Sequence, residues 1–193
     1  ADDNPEVQEA KRRGIPVVHR MDMLLEIITG KKIIGVAGAH GKTSTSAMIA
    51  WVLDRAGADP TFFVAGEFGK EGSARLGNGE YAVVETDESD GSFLKCSPDI
   101  NVVTNIDNDH LDFWGSFDSL KQAFYSYLSN TKLASPRIVC VDNEYLFDWA
   151  KANPENTVSY AISHEADWQV VDITDKGWGI SCRVLHGGEP VAE

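Results

Sequence analysis

The segment Lys32-Ile33-Ile34-Gly35-Val36-Ala37 is an apolar run of the kind found in strands that a parallel sheet covers on both faces. A glycine-rich turn, Gly38-Ala39-His40-Gly41, follows at once. From residue 42 to 56 the pattern becomes helical, with Ala47, Ile49, Ala50, Val52 and Leu53 apolar and Gly57 as the stop signal. A buried strand running through glycines straight into a helix is a parallel-sheet unit, and the rest of the chain repeats the alternation. Further strands are expected at 61–64, 81–86, 100–104, 137–141 and 157–160. Helices are expected at 6–13, 20–29, 117–129 and 144–151, with a short strand or extended link at 14–18. From Trp168 onward the period changes to two, so strands at 169–173 and 179–185, joined through Asp175-Lys176-Gly177, predict an antiparallel hairpin at the sheet edge. A further strand is expected to begin within 188–193. The fold class is therefore α/β, a mostly parallel sheet with helices on both faces, of the P-loop nucleotide-binding type, with an antiparallel edge hairpin. With 193 residues, 42% of them hydrophobic, the chain can bury one substantial core, which suits one domain plus a fragment.

The turn Gly38-Ala39-His40-Gly41-Lys42-Thr43-Ser44 carries the strongest chemical signal because of where it lies. Glycines let the backbone curl round an anion with its N–H groups inward, and the helix start adds partial positive charge at the same point. Lys42 is expected to reach the β- and γ-phosphates of a nucleotide, and the Thr43 hydroxyl to hold a magnesium ion bridging them. The loop is a short variant of the general phosphate-binding pattern, because Val36 stands where its first glycine would be.

Charge narrows the partners. Seventeen Lys and Arg against 30 Asp and Glu leave a net charge of −13, a field that repels nucleic-acid backbones and anionic membrane surfaces. Neither partner is expected, and any polyanion has to be held by local donors or a metal. No run of apolar residues is long enough to span a bilayer, and the acidic opening is unlike a signal peptide, so a cytoplasmic protein is expected. Cys96, Cys140 and Cys182 lack zinc-ligand or redox spacing, and Cys140 and Cys182 read as small apolar strand residues.

Hard oxygen ligands for a metal–nucleotide site are expected at strand ends beside the loop. Glu85-Thr86-Asp87-Glu88-Ser89-Asp90 follows the strand Tyr81-Ala82-Val83-Val84. Such a crowded acidic run is ordinarily a solvated loop, but Glu85, at the very end of a buried strand, is expected to project at the phosphate edge. Thr104-Asn105-Ile106-Asp107-Asn108-Asp109-His110-Leu111-Asp112 follows the strand Ile100-Asn101-Val102-Val103. A histidine beside carboxylates is ordinarily just hydrogen-bonded, and magnesium prefers oxygen, so spacing alone assigns His110 no metal.

In order and spacing these blocks, together with Gly91-Ser92-Phe93-Leu94 after the acidic run, resemble the Mur ligase family. They look most like its members that join L-alanine to UDP-N-acetylmuramate during peptidoglycan precursor synthesis, and residues 4–28 look like the end of such an enzyme's N-terminal domain. The resemblance implies that Gly38, Ala39, His40, Gly41, Lys42, Thr43 and Ser44 bind ATP, that Thr43 and Glu85 hold one Mg2+, and that Glu85 and His110 hold a second. Lys42, Glu85 and His110 are the implied catalytic set. The carboxylate would be activated as an acyl phosphate and attacked by the amino group of L-alanine. It also implies that residues 1–30 end an N-terminal UDP-substrate domain with its linker. Residues 31–193 would then form a central ATP-binding domain cut before its end, with most of the N-terminal domain and the whole C-terminal domain missing. Such a piece is expected to bind ATP weakly and to make no product alone. Ala39 departs from the family's usual Thr or Ser, which removes a side-chain contact but leaves the backbone cradle.

Other readings start from the same loop. A sister ligase transfers a recycled tripeptide to the same nucleotide sugar, but more often has an aromatic residue where Ser89 stands, and folate polyglutamate ligases usually carry a different acidic block. A P-loop regulatory ATPase without ligase activity would show the glycine missing at Val36. A purely structural α/β module would bind no anion at 38–43.

Overall fold

The computed structural model describes residues 3–66, 72–132 and 134–192. Its elements are α1 (Pro5–Arg12), α2 (Arg20–Ile27), β1 (Lys32–Ala37), α3 (Lys42–Arg55), β2 (Thr61–Phe63), β3 (Ala74–Arg75), β4 (Tyr81–Glu85), a 3-10 turn (Ser92–Lys95) and β5 (Ile100–Val103). They continue with α4 (Leu111–Trp114), α5 (Phe117–Ser129), β6 (Arg137–Cys140), α6 (Glu144–Ala152), β7 (Thr157–Ala161), β8 (Trp168–Asp175), β9 (Ile180–His186) and β10 (Glu189–Ala192). All the strands join one 10-stranded sheet in the order β10-β9-β8-β7-β6-β5-β1-β4-β2-β3. From β2 to β8 every neighbouring pair is parallel, while β3, β9 and β10 pair antiparallel with their neighbours.

The period-two alternation of β1 divides the core into layers. Ile34 and Val36 join Ala50 of α3 with Phe62, Val64, Val83 and Val102 on one face. Ala37 points the other way, into a larger cluster with Phe93, Leu120, Phe124, Tyr127, Leu128, Leu146 and Trp149. α5 buries Leu120, Ala123, Phe124, Tyr127 and Leu128, an i, i+3, i+4, i+7, i+8 stripe, and starts at Ser116, whose hydroxyl accepts from Ser119 N–H at 3.1 Å. Helices thus cover both faces, as the alternation predicts.

The edge hairpin is present and longer than expected, with β8 running parallel to β7 before β9 turns back, and β10 forms within 188–193. Residues 15–19 are an extended link, with no strand there. Sequence periodicity misses β3, the 3-10 turn and α4, because two to four residues are too few to show a period. No helix among the described residues is long and apolar enough to cross a membrane.

β1 lies between β4 and β5, and Val36 pairs with Glu85 while Ala37 pairs with Val103. The exits of these parallel strands therefore open onto one edge of the sheet, where open α/β folds gather their ligands.

Candidate functional site

The loop leaving β1 is tied down by the loop leaving β5. Asn105 accepts from Ala39 N–H through its carbonyl (3.3 Å) and from His40 N–H through Oδ1 (2.8 Å), and its Nδ2 donates back to His40 O at 2.8 Å. Thr104 Oγ1 donates to His40 O at 2.6 Å. Gly38 sits at φ +140° so close to this brace that a Cβ there would lie 2.1 Å from Thr104 Oγ1. Thr104 and Asn105 are functional in this sense, and the residue pattern showed them only as part of a block containing a histidine.

Because Ala39 and His40 already donate to Asn105, the donors left for an anion are further along. α3 begins at Lys42 behind Gly41, which has φ +81° and supplies no side-chain cap. The first N–H groups of a helix have no intrahelical acceptor, so Lys42, Thr43 and Ser44 present their amides at the positive end of the helix dipole.

The acidic run after β4 is a set of separately partnered carboxylates. Glu85 accepts from the Thr43 hydroxyl at 2.8 Å and from Ala65 N–H at 2.6 Å. Asp87 accepts from Ser89 N–H at 2.9 Å and lies 3.7 Å from the Arg20 guanidinium. Asp90 accepts from Ser92 N–H at 2.9 Å and meets His19 Nε2 at 3.1 Å. Partial burial pushes the Asp90 carboxyl up, but the bonds from Ser92 and His19 outweigh it and hold the group below the usual value. Glu88 is 1% exposed and pairs with Lys42 Nζ at 2.8 Å.

Lys42 thus has three acceptors, Glu88 Oε1, Gly38 O at 2.7 Å and Ala39 O at 3.4 Å. The residue pattern assigned the run's inward role to Glu85. The structure gives it to two carboxylates, Glu85 on the threonine and Glu88 on the lysine. A sequence signal for Glu88 is hard to find, since a loop has no period to mark which acid turns inward.

His110 stands at φ +54° just before α4, with Nε2 3.9 Å from Glu88 Oε1 and 3.7 Å from Asp109 Oδ2. His40, on the glycine-rich loop after β1, meets Asp107 at 3.1 Å on the exposed rim. Asp107 is held below the usual carboxylate value first by Asn108 N–H and then by His40.

Lys42, Glu85 and His110 all line one cavity of about 660 Å³, with Arg20 and Asp87 on its wall and an apolar side built by Met21, Leu24, Ile27 and Phe63. The three residues of the implied catalytic set are therefore brought together, and Thr43 reaches the cavity through its bond to Glu85. Among the described residues, no three His, Cys, Asp or Glu side chains converge as a ready-made metal cage.

Comparison with known proteins agrees with this arrangement. A family model described as the Mur ligase middle domain matches residues 36–191. The UDP-N-acetylmuramate--L-alanine ligase of Geotalea uraniireducens is 43% identical over 193 residues, which is 100% of this chain and 42% of that protein. Its counterpart from Desulfosudis oleivorans is 46% identical over 175 residues, 90% of this chain and 38% of that protein. Among solved structures, the UDP-N-acetylmuramate-alanine ligase of Thermotoga maritima superposes with TM-score 0.84 at 27% identity, covering 99% of this chain and 43% of that one. The UDP-N-acetylmuramate:L-alanyl-gamma-D-glutamyl-meso-diaminopimelate ligase of Neisseria meningitides gives TM-score 0.79 at 26% identity, covering 95% and 61%. The chain spans less than half the length of these L-alanine ligases. With its glycine-rich loop, its strand exits and most of its length inside the matched region, the chain belongs to the Mur ligase family, as a middle domain.

Proposed function

We propose that this chain is the ATP-binding part of an ADP-forming carboxylate–amine ligase that joins L-alanine to UDP-N-acetylmuramate during peptidoglycan precursor synthesis. The observation behind this reading is the meeting of Lys42, Glu85 and His110, from separate strand exits, on one cavity beside a free helix N-terminus. The L-alanine assignment draws on curated relatives of that name at 43% and 46% identity and on the higher TM-score of the L-alanine ligase structure, 0.84 against 0.79 for the tripeptide-linking one.

In this reading the amides of Gly41 to Ser44 receive the phosphates, and Lys42 exchanges its bonds to the loop carbonyls for bonds to phosphate oxygens. Gly38, Ala39 and His40 shape the loop. The site fits magnesium: Thr43 and Glu85 already share a hydrogen bond at 2.8 Å, and a cation favouring water and phosphate oxygens needs few protein ligands. Thr43 and Glu85 would hold one Mg2+, and Glu85 with His110 a second. Bound there, magnesium would offset the repulsion between a carboxylate and a triphosphate on an acidic protein. The carboxylate is activated as an acyl phosphate and the amine of L-alanine then displaces phosphate, so no covalent bond to the enzyme is needed.

Residues 1–30 are assigned to the end of an N-terminal substrate domain and its linker, and 31–193 to the central domain. The start of the family match at residue 36 supports that division. The partners are then the N- and C-terminal domains of the same protein, and the reaction belongs in the cytoplasm, where ATP and the nucleotide sugar are found. The test is calorimetric binding of MgATP to the wild type and to Lys42→Met, with phosphate release followed in the full-length protein. A charge-assisted hydrogen bond contributes about 1.5–3 kcal/mol, so Lys42→Met should weaken binding roughly 10- to 100-fold. Phosphate release should require both UDP-N-acetylmuramate and L-alanine. Preference for the tripeptide would favour the sister ligase, and release without the muramyl nucleotide would indicate an ATPase of another kind.

A further inference from the structure

Glu88 is a buried charge for which the reading above has no use. It is 1% exposed, and its Oε2 is buried without a hydrogen-bond partner. Its main chain is pinned, with the carbonyl accepting from Trp114 Nε1 at 2.9 Å and from Gly91 N–H at 3.2 Å. A side chain kept there only to fill space would be better served by a neutral residue, because removing a carboxylate from water is costly and leaving one oxygen unpaired adds to the cost. Unpaired buried polar atoms in native folds call for an explanation, such as a role in the site or a bound water or ion.

The partner supplies one. Lys42 is the first residue of α3, where the helix dipole presents positive charge and disfavours a cation. Left to itself, a lysine there would swing its flexible stem toward solvent. Glu88 Oε1 at 2.8 Å opposes that force and keeps the ammonium against the loop, with the whole lysine side chain 16% exposed. The other acceptors of Nζ are Gly38 O and Ala39 O, carbonyls of the phosphate loop itself. An incoming phosphate can replace those carbonyls while the bond to Glu88 persists, so the carboxylate acts as a pivot.

We propose that Glu88 is a positioning residue for the phosphate-binding lysine, holding the Lys42 ammonium at the mouth of the loop before the nucleotide arrives. This rests on the reading of Lys42 as a phosphate ligand. Its gain lies in pre-organisation, since a fixed ammonium loses little rotamer freedom on binding. His110 approaches the same oxygen, with Nε2 3.9 Å from Glu88 Oε1. One oxygen of Glu88 is therefore near both the lysine and the imidazole of the proposed catalytic set.

The test is a double-mutant cycle read as MgATP dissociation constants, with the thermal midpoint measured for every protein: wild type, Glu88→Gln, Lys42→Met, and the double variant. Glu88→Gln should weaken MgATP roughly 10-fold in the wild-type background and less than about 2-fold when Lys42 is already Met. Glu88→Asp, which keeps the charge, should recover part of the loss. Equal weakening on both backgrounds, or Glu88→Gln binding like the wild type, overturns the proposal. A merely structural role would lower the thermal midpoint without this non-additivity. If Glu88→Gln does not fold, Glu88→Asp is carried through the same cycle, and its additivity with Lys42→Met overturns the proposal equally. Failure of the wild type itself to bind MgATP would sink the proposed function and this inference with it. An indifferent Glu88→Gln in a protein that binds MgATP sinks this inference alone.

Discussion

Of the two glycines in the turn after β1, Gly41 is the open one and Gly38 the crowded one. At φ +140° it adopts a backbone conformation that L side chains avoid, and an added Cβ would lie 2.1 Å from Thr104 Oγ1 and 3.1 Å from Asn105 N. Gly38→Ala should therefore displace the Thr104–Asn105 brace that holds His40. The expected outcome is a loss of about 2–4 kcal/mol in urea unfolding, since strain and overpacking combine, together with weakened MgATP binding. A variant with wild-type stability and affinity would show that the brace is not needed. The need for glycine at this point is legible in the sequence, because a strand-to-helix turn that curls round an anion demands it. The identity of what crowds it is not, since Thr104 and Gly38 meet only when β1 and β5 pair. Glu88 stayed hidden for a related reason. In a run of Asp and Glu, composition says that charges must be separated, and only the path of the loop decides which acid turns inward toward Lys42.

At the level of elements, the long periodic segments are the ones the residue pattern marks best. β1 buries a run of four residues and α5 a stripe of five, and such repetition is what the pattern records, whereas α3 fully buries only Ser46 and Ala50 and leaves Val52 exposed. The 3-10 turn at Ser92–Lys95 and α4 are shaped instead by Phe93 sinking into the core against Phe124, with ring centroids 5.3 Å apart, and by Trp114 donating to Glu88 O. Those contacts join segments distant in the chain and leave no local trace. Asn143 shows how an element can serve the site from outside it. Its Oδ1 accepts from Leu146 N–H at 3.3 Å and caps α6, while its Nδ2 donates to Ile106 O at 3.0 Å, in the loop that leads to His110. Asn143→Ala should cost about 1 kcal/mol for the cap and about 1 kcal/mol more for the stranded Ile106 carbonyl. Asn143→Asp keeps the cap and loses only the second bond. Urea unfolding of both variants separates the contributions: equal stability for the two would show that the cap contributes nothing, and Asn143→Asp as stable as the wild type would show that the link to Ile106 contributes nothing.

Across the whole molecule, the acidic surplus and the sheet meet in three aspartates that clamp neighbouring parallel strands. Asp99, just before β5, accepts from Ile33 N–H of β1 at 2.8 Å and from Lys132. Asp142, after β6, accepts from Ile162 N–H and Ser163 N–H beyond β7 at 2.6 and 2.9 Å. Asp167, before β8, accepts from Ser159 N–H of β7 at 2.8 Å. Partial burial pushes Asp99 and Asp142 upward, but their donors outweigh it, and Asp167 is lowered first by the Ser159 amide and then by its hydroxyl. All lie below the ordinary aspartate value of 3.8. A carboxylate whose folded pKa is depressed contributes stability that is present above its unfolded pKa and is lost as pH falls through the lower folded one. A second effect has the opposite sign, because the net charge of −13 repels itself and shrinks as acid is added. The thermal midpoint should therefore hold or rise from pH 7 down to about 5, and fall steeply below about 4 as the clamps protonate. Asp142→Asn and Asp167→Asn should each lower the midpoint at neutral pH and make the acid limb shallower, because the group that titrates is gone. A midpoint that declines steadily from pH 7 to about 5, or an acid limb unchanged in both variants, would place the acid sensitivity in other groups.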